Sequence, residues 1–111
     1  MTLREAKIIF EERKPGYLSD DEQRRYIGLL DATLSGDPDF SGYTEDFSGE
    51  LLIKEPYTEI YILYLKAQAE AKWNETELYN DTLSQFAALL SEYRRLCVRR
   101  GEVSGQNIKY F

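Results

Sequence analysis

The stretch that decides the fold runs from Tyr79 to Cys97 and reads YNDTLSQFAALLSEYRRLC. Its apolar residues recur at alternating intervals of four and three, which is the spacing of one packed helix face over nearly three heptads. Leu89 and Leu96 widen this face, and Gly101 follows as a stop signal. The pattern predicts a long last helix with a core seam formed by Tyr79, Leu83, Phe86, Leu90, Tyr93 and Cys97.

Two shorter helices are indicated near the start of the chain by capping boxes, in which Ser or Thr is followed three residues later by Glu. Thr2 and Ser19 each begin such a box. Apolar residues then recur at helical spacing until Gly and Pro interrupt them. The sequence therefore predicts helices over about residues 3–14 and 20–35.

A third helix is predicted from Tyr57 to about Lys72, with Pro56 near its first turn. Its first half is apolar almost all the way round, because the residues from Ile60 to Leu65 are all apolar or aromatic. Such a helix is either central in a bundle or placed in an interface.

The chain after Trp73 allows two interpretations. Asn74 with Glu77 has the spacing of another capping box, which favours a tight turn and a new helix. No Gly or Pro lies there, so residues 57–100 also fit a single long helix.

The acidic charge of the protein is concentrated in one segment. The net charge is −6, and residues 37–50 carry five acidic residues and no basic one. Gly, Pro and Ser in this segment indicate a loop, which Phe40, Tyr43 and Phe47 pin to the body. We therefore predict a mostly α fold, with residues 1–111 as a single domain: a small bundle of about four helices, a long acidic loop between helices 2 and 3, and a tail over residues 102–111.

The bulk properties also bear on location and partners. An acidic chain has no general attraction to phosphate, so sequence-specific nucleic-acid binding is not expected. The longest apolar run has six residues, too few for a membrane span. With one cysteine and no leader pattern, the expected location is the cytoplasm.

Few residues suggest chemistry, and we predict no catalytic site, cofactor or metal. The chain has no histidine, which removes Ser/His/Asp and Cys/His catalysis. Cys97 falls in the apolar seam and is interpreted as a core residue. Asp37, Asp39 and Ser41 match the opening of a calcium loop, but position twelve is Ser48 where Glu is needed, so a solvated acidic loop is the preferred interpretation.

The basic cluster at the end of the last helix, residues 94–100, has two interpretations. Cations in a last helical turn complement the helix dipole, and they also suit contact with an acidic surface. The tail is too apolar for a purely solvated end. The candidate interface combines three groups of residues. They are Tyr61, Tyr64 and Leu65 of the apolar third helix, the bases Arg95 and Arg99, and the tail residues Ile108, Tyr110 and Phe111.

Several segments resemble small prophage proteins of Gram-positive bacteria. The first half contributes the opening MTLREA and the helix start LSDDE at residues 18–22. The closer likeness lies in the second half, in ELLI at 50–53, PYTEIY at 56–61, Tyr64-Leu65, Tyr79-Asn80, Phe86 and Tyr93-Arg94-Arg95.

The resemblance implies a structural role in virion assembly, and with it a location in the cytoplasm of the bacterial host or, for a phage protein, in the virion. Proteins of that kind are associated with head and tail morphogenesis, so the implied function is a head-to-tail connector that forms a ring and contacts the portal and tail-completion proteins. The alternative is a small acidic regulatory protein that masks a basic surface on its partner. An enzyme is not expected, because no catalytic constellation is visible.

Overall fold

The computed structural model describes residues 1–36, 42–43 and 46–100, with Arg100 described by its backbone alone. The fold is a mostly helical bundle, as predicted from the sequence. Its helices are α1 (Leu3–Arg13), α2 (Asp20–Ser35), α3 (Glu59–Lys72) and α4 (Thr76–Arg100). None of the helices in the described part of the chain is long and apolar enough to cross a bilayer.

Both predicted capping boxes are present at the starts of α1 and α2. The Thr2 hydroxyl accepts from the Glu5 N–H, and the Glu5 carboxylate accepts from the Thr2 N–H at 2.9 Å. Ser19 and Glu22 repeat this exchange. Each box satisfies N–H groups that have no partner within the helix, which explains why the sequence located these two starts correctly.

Helix α3 is the centre of the bundle and packs against each of the other three helices. Ile60, Tyr61, Ile62 and Leu65 are fully buried. Of the two interpretations of this apolar helix, the central one is confirmed, and α3 is not an exposed interface helix.

The start of α3 differs from the prediction by two residues. Residues 55–58 form a turn, in which the Glu55–Pro56 peptide bond is cis, and the helix begins at Glu59. Tyr57 donates its N–H to Lys54 O at 3.0 Å, and Ile60 donates to Tyr57 O at 3.1 Å. Pro56 therefore lies in the preceding turn and not in the first turn of the helix.

The junction between α3 and α4 resolves the question of one helix or two. Glu75 donates its N–H to Glu70 O at 2.8 Å, and Asn74 donates to Ala71 O at 3.3 Å, which is the hydrogen-bond pattern of a Schellman motif. Asn74 has φ 59°, a left-handed conformation that Asn tolerates better than most residues. The predicted role of Asn74 as an N-cap is therefore wrong: Asn74 ends α3, and Glu75 precedes α4.

The segment that precedes α3 packs along the start of α1. Gly49 O accepts from the Leu3 N–H at 2.9 Å, and Phe47 O accepts from the Arg4 N–H at 3.0 Å. Leu51 and Ile53 point into the core while Leu52 is exposed. This alternation agrees with the short extended segment expected after Glu50, although only an isolated bridge forms with Thr2.

Candidate functional site

The predicted seam of α4 is buried at most of its positions. Leu90 and Cys97 lie in the interior, and Tyr79, Phe86 and Tyr93 are partly buried. The Tyr93 ring lies 5.5 Å from the Tyr57 ring, between centroids. This face of α4 is therefore the one that packs on α3 and on the turn before it.

Leu83 departs from the predicted seam, because 40% of its surface is exposed. Thr82 is buried in its place. Thr82, three positions after Tyr79, lies about 300° further around the helix axis, and Leu83, four positions after Tyr79, lies about 400° further. The side chains of Thr82 and Leu83 therefore point about 100° apart. The side that α3 covers is the Thr82 side. Sequence reasoning missed Thr82 because only apolar residues were counted toward the seam.

The structure corrects the assignment of α3 residues to the candidate interface. Tyr61 and Leu65 are fully buried inside the bundle and present no surface to a partner. Tyr64 is partly buried, with its ring 6.4 Å from Tyr26 and 5.4 Å from Phe86. The reason is that neighbouring helices pack on several sides of α3. They cover the apolar surface for which the sequence alone indicated no covering element.

The remaining candidates divide between the surface and the part of the chain that is not described. Arg95 and Arg99 are exposed on α4. The tail residues Ile108, Tyr110 and Phe111 lie outside the described residues, as do the calcium-loop positions Asp37, Asp39 and Ser41. Phe40 also lies outside them. Tyr43 and Phe47 pack against the core, as expected for aromatic residues that pin the loop.

A fully buried carboxylate, Asp31 of α2, organises the polar contacts of the interior. The Tyr61 hydroxyl donates to Asp31 Oδ1 at 2.6 Å, the Tyr43 hydroxyl donates to Oδ2, and the Leu52 N–H donates to Oδ2 at 3.3 Å. Tyr61 in turn accepts from the Ile53 N–H at 2.7 Å. Asp31 thereby ties α2 to α3 and to the segments on both sides of Glu50.

The electrostatics of this cluster follow from its burial. Burial raises the pKa of Asp31, although the bonds from Tyr43 and Tyr61 act in the opposite direction. Burial and the neighbouring carboxylate also raise the pKa of both tyrosine hydroxyls, which stay protonated as donors. The cluster is a structural tie. A sequence signal for it did exist, since Asp31 stands four residues after Ile27 on the apolar stripe of α2.

A second polar cluster joins the turn after α1 to the turn after α3. Lys14 Nζ lies 3.2 Å from Oε2 of the fully buried Glu70 and 3.6 Å from Oε1 of Glu75. The Tyr17 hydroxyl donates to Glu75 at 3.2 Å, and Trp73 Nε1 donates to Tyr17 O at 2.9 Å. These contacts fix how the two turns meet.

The state of Lys14 bears on what this cluster can do. Burial by itself lowers the pKa of Lys14, but Glu70 and Glu75 more than offset it, so the net pKa is raised. A nucleophilic lysine needs the opposite shift, toward a neutral amine. Lys14 therefore remains a cation that balances Glu70.

Within residues 1–36, 42–43 and 46–100, no three Cys, Asp or Glu side chains are grouped so that they could hold an ion. Of the two buried carboxylates, Asp31 accepts hydrogen bonds from Tyr61, Tyr43 and the Leu52 N–H, and Glu70 forms ion pairs with Lys14 at 3.2 Å and Lys66 at 4.0 Å.

The exposed surface of α4 remains as the candidate functional site. α4 packs chiefly on α3, and its other sides carry exposed apolar residues, among them Leu78, Leu83 and Val98. Charged residues lie on the side opposite α3. No family model, curated protein or solved structure matches this chain.

Proposed function

We propose that this protein is a structural subunit of a phage or prophage particle, a head-to-tail connector that forms a ring and contacts portal and tail-completion proteins. The sequence resemblance supplies the specific role. The observation that carries the proposal is the exposed apolar edge of α4, which we define as Leu83, Ala87 and Val98.

The packing of α4 chiefly on one helix explains why this edge is uncovered. A single neighbouring helix covers only one side of α4. It also covers only part of its length, since at 1.5 Å per residue the 25 residues of α4 extend about 37 Å and the 14 residues of α3 about 21 Å. Leu83 and Val98 are therefore left 40% and 47% exposed, on the same side of the helix.

An apolar edge of this kind suits the contacts of a ring. A ring closes through heterologous contacts, in which one surface of a subunit meets a different surface of its neighbour. Each subunit must then offer apolar area that its own core does not use. Because Tyr61 and Leu65 of α3 are buried, the proposed contact lies on this edge of α4 and not on α3.

The proposal is tested by co-purification of the full-length protein with a portal protein of the same phage or prophage. We expect a stable complex that Leu83→Glu and Val98→Glu each disrupt. Leu29→Glu is the matched control, since Leu29 is equally apolar and 54% exposed, but on α2. Retained helical circular dichroism separates a lost contact from a lost fold.

The alternative function, a small acidic regulator, predicts a different result. The five acidic residues of segment 37–50 would then carry the contact with a basic partner. If the full-length protein binds no virion component and captures a basic protein that Asp37→Asn with Asp39→Asn releases, the connector proposal is wrong and the regulator is supported.

A further inference from the structure

The side of α4 that faces away from α3 carries a charge pattern that is complementary to itself. Its exposed residues are spaced four, three, four, four, three and four apart, so they lie along one stripe of the helix. The stripe consists of Glu77, Asp81, Ser84, Ala88, Glu92, Arg95 and Arg99.

Ala88 is the centre of this stripe. Glu77 and Arg99 lie eleven residues before and after it, and Asp81 and Arg95 lie seven before and after it. Each of these two acids therefore has a base at the same distance on the other half, while Glu92, four residues after Ala88, has Ser84 at the matching position. Such an arrangement is matched when a second copy of the stripe lies against the first in the opposite direction.

We infer that two copies of this protein associate through an antiparallel pair of α4 helices, related by a two-fold axis at Ala88. Glu77 of each copy then meets Arg99 of the other, and Asp81 meets Arg95, which gives four ion pairs. The small side chain of Ala88 allows the helices to approach at the axis. A parallel pair would place acid against acid and is disfavoured.

Glu77, Asp81, Arg95 and Arg99 have no ion-pair partner in the part of one copy that the structure describes, residues 1–36, 42–43 and 46–100. Moreover, Glu77 with Asp81 and Arg95 with Arg99 are like-charged pairs at i, i+4, which disfavour an isolated helix. A second copy supplies the opposite charges.

The helix dipole does not account for this pattern. Its influence is confined to the first and last turns of a helix. Asp81 is the sixth residue of α4, and Arg95 is the sixth from its end. The inner pair of charges therefore lies beyond the reach of the dipole, and self-association explains both pairs together.

One flank of the stripe adds apolar contact. Leu78, which is 45% exposed, and the partly buried Leu96 lie on the same edge, ten residues before and eight after Ala88. In the antiparallel pair Leu78 of one copy comes next to Leu96 of the other. Because the stripe is opposite the face that packs on α3, the two bundles lie on opposite sides of the helix pair and do not collide.

This inference does not rest on the proposed function. A two-fold contact closes after two copies, whereas a ring needs heterologous contacts. The two surfaces also use different residues of α4, so a failure of one proposal is distinguishable from a failure of the other.

The experiment measures the mass of the full-length protein by sedimentation equilibrium in about 50 mM salt, where surface charges are weakly screened. We expect a dimer that weakens as salt is raised. Glu77→Lys with Asp81→Lys, and separately Arg95→Glu with Arg99→Glu, should each weaken the dimer at least about tenfold, since each places like charges opposite one another at all four paired positions. Glu12→Lys with Glu55→Lys is the control for net charge.

The decisive measurement mixes the two charge-reversed variants. One stripe then carries bases and the other carries acids at the four paired positions, so the mixture should form a mixed dimer although neither variant dimerises alone. This rescue cannot arise from misfolded proteins. A wild-type protein that is monomeric at low salt, or a mixture that forms no mixed dimer, overturns the inference.

Discussion

Replacing Tyr61 by Phe removes one oxygen atom from the interior and breaks two hydrogen bonds. The Tyr61 hydroxyl donates to the buried Asp31 carboxylate at 2.6 Å and accepts from the Ile53 N–H at 2.7 Å. A hydrogen bond to a charged group contributes about 1.5–3 kcal/mol, and a buried donor left without a partner costs about 1–3 kcal/mol. We therefore expect Tyr61→Phe to lower the free energy of unfolding by about 3–5 kcal/mol.

Urea unfolding followed by circular dichroism at 222 nm measures this loss. Tyr64→Phe is the matched control, because Tyr64 lies one helical turn later and the structure gives its hydroxyl no hydrogen bond within the described residues. The control should lose under about 1 kcal/mol. The reasoning is refuted if the two variants lose the same free energy, since Asp31 would then not depend on Tyr61.

Two further predictions concern packing and pH. Leu90→Ala should cost about 2–5 kcal/mol of unfolding free energy, because it opens a cavity in the core, while Leu83→Ala should cost less than about 1 kcal/mol at its exposed position; equal losses in urea unfolding would contradict the corrected seam. The hydrogen-bonded Lys72, together with the Ser19 cap, lowers the pKa of Glu22 from 4.5 to about 2. Glu22 therefore contributes stability that is present above about pH 4.5 and lost as the pH falls through about 2. Unfolding free energies of Glu22→Gln between pH 5 and pH 2 should decline less than those of the wild type, and a parallel decline would rule out this role of Glu22.

The starts of α1 and α2 could be predicted because the signals for them are local. A capping box involves residues three apart, so Thr2 and Ser19 indicated α1 and α2 without knowledge of the fold. Where one residue type serves two local roles, the sequence was ambiguous. Asn74 suits both an N-cap and a left-handed helix end, and the hydrogen bonds to α3 select the second.

The site could be predicted only in part. Arg95 and Arg99 were identified as exposed candidates and are exposed. Tyr61 and Leu65 were assigned to an interface because an apolar helix surface looks the same in a sequence whether the chain itself or a partner covers it. Leu83 was assigned to the core because heptad spacing alone does not show which edge of the α4 seam is covered by α3.

The sequence by itself determined the helical class and the places where α1 and α2 begin, because each depends on residues within a few positions of one another. Only the tertiary structure decided that α3 is central, that Asp31 is the buried tie between α2, α3 and the segment before α3, and which side of α4 remains exposed. Those outcomes depend on contacts between residues 20 to 60 positions apart. No local pattern encodes them, since burial is a property of the assembled bundle and not of any one helix.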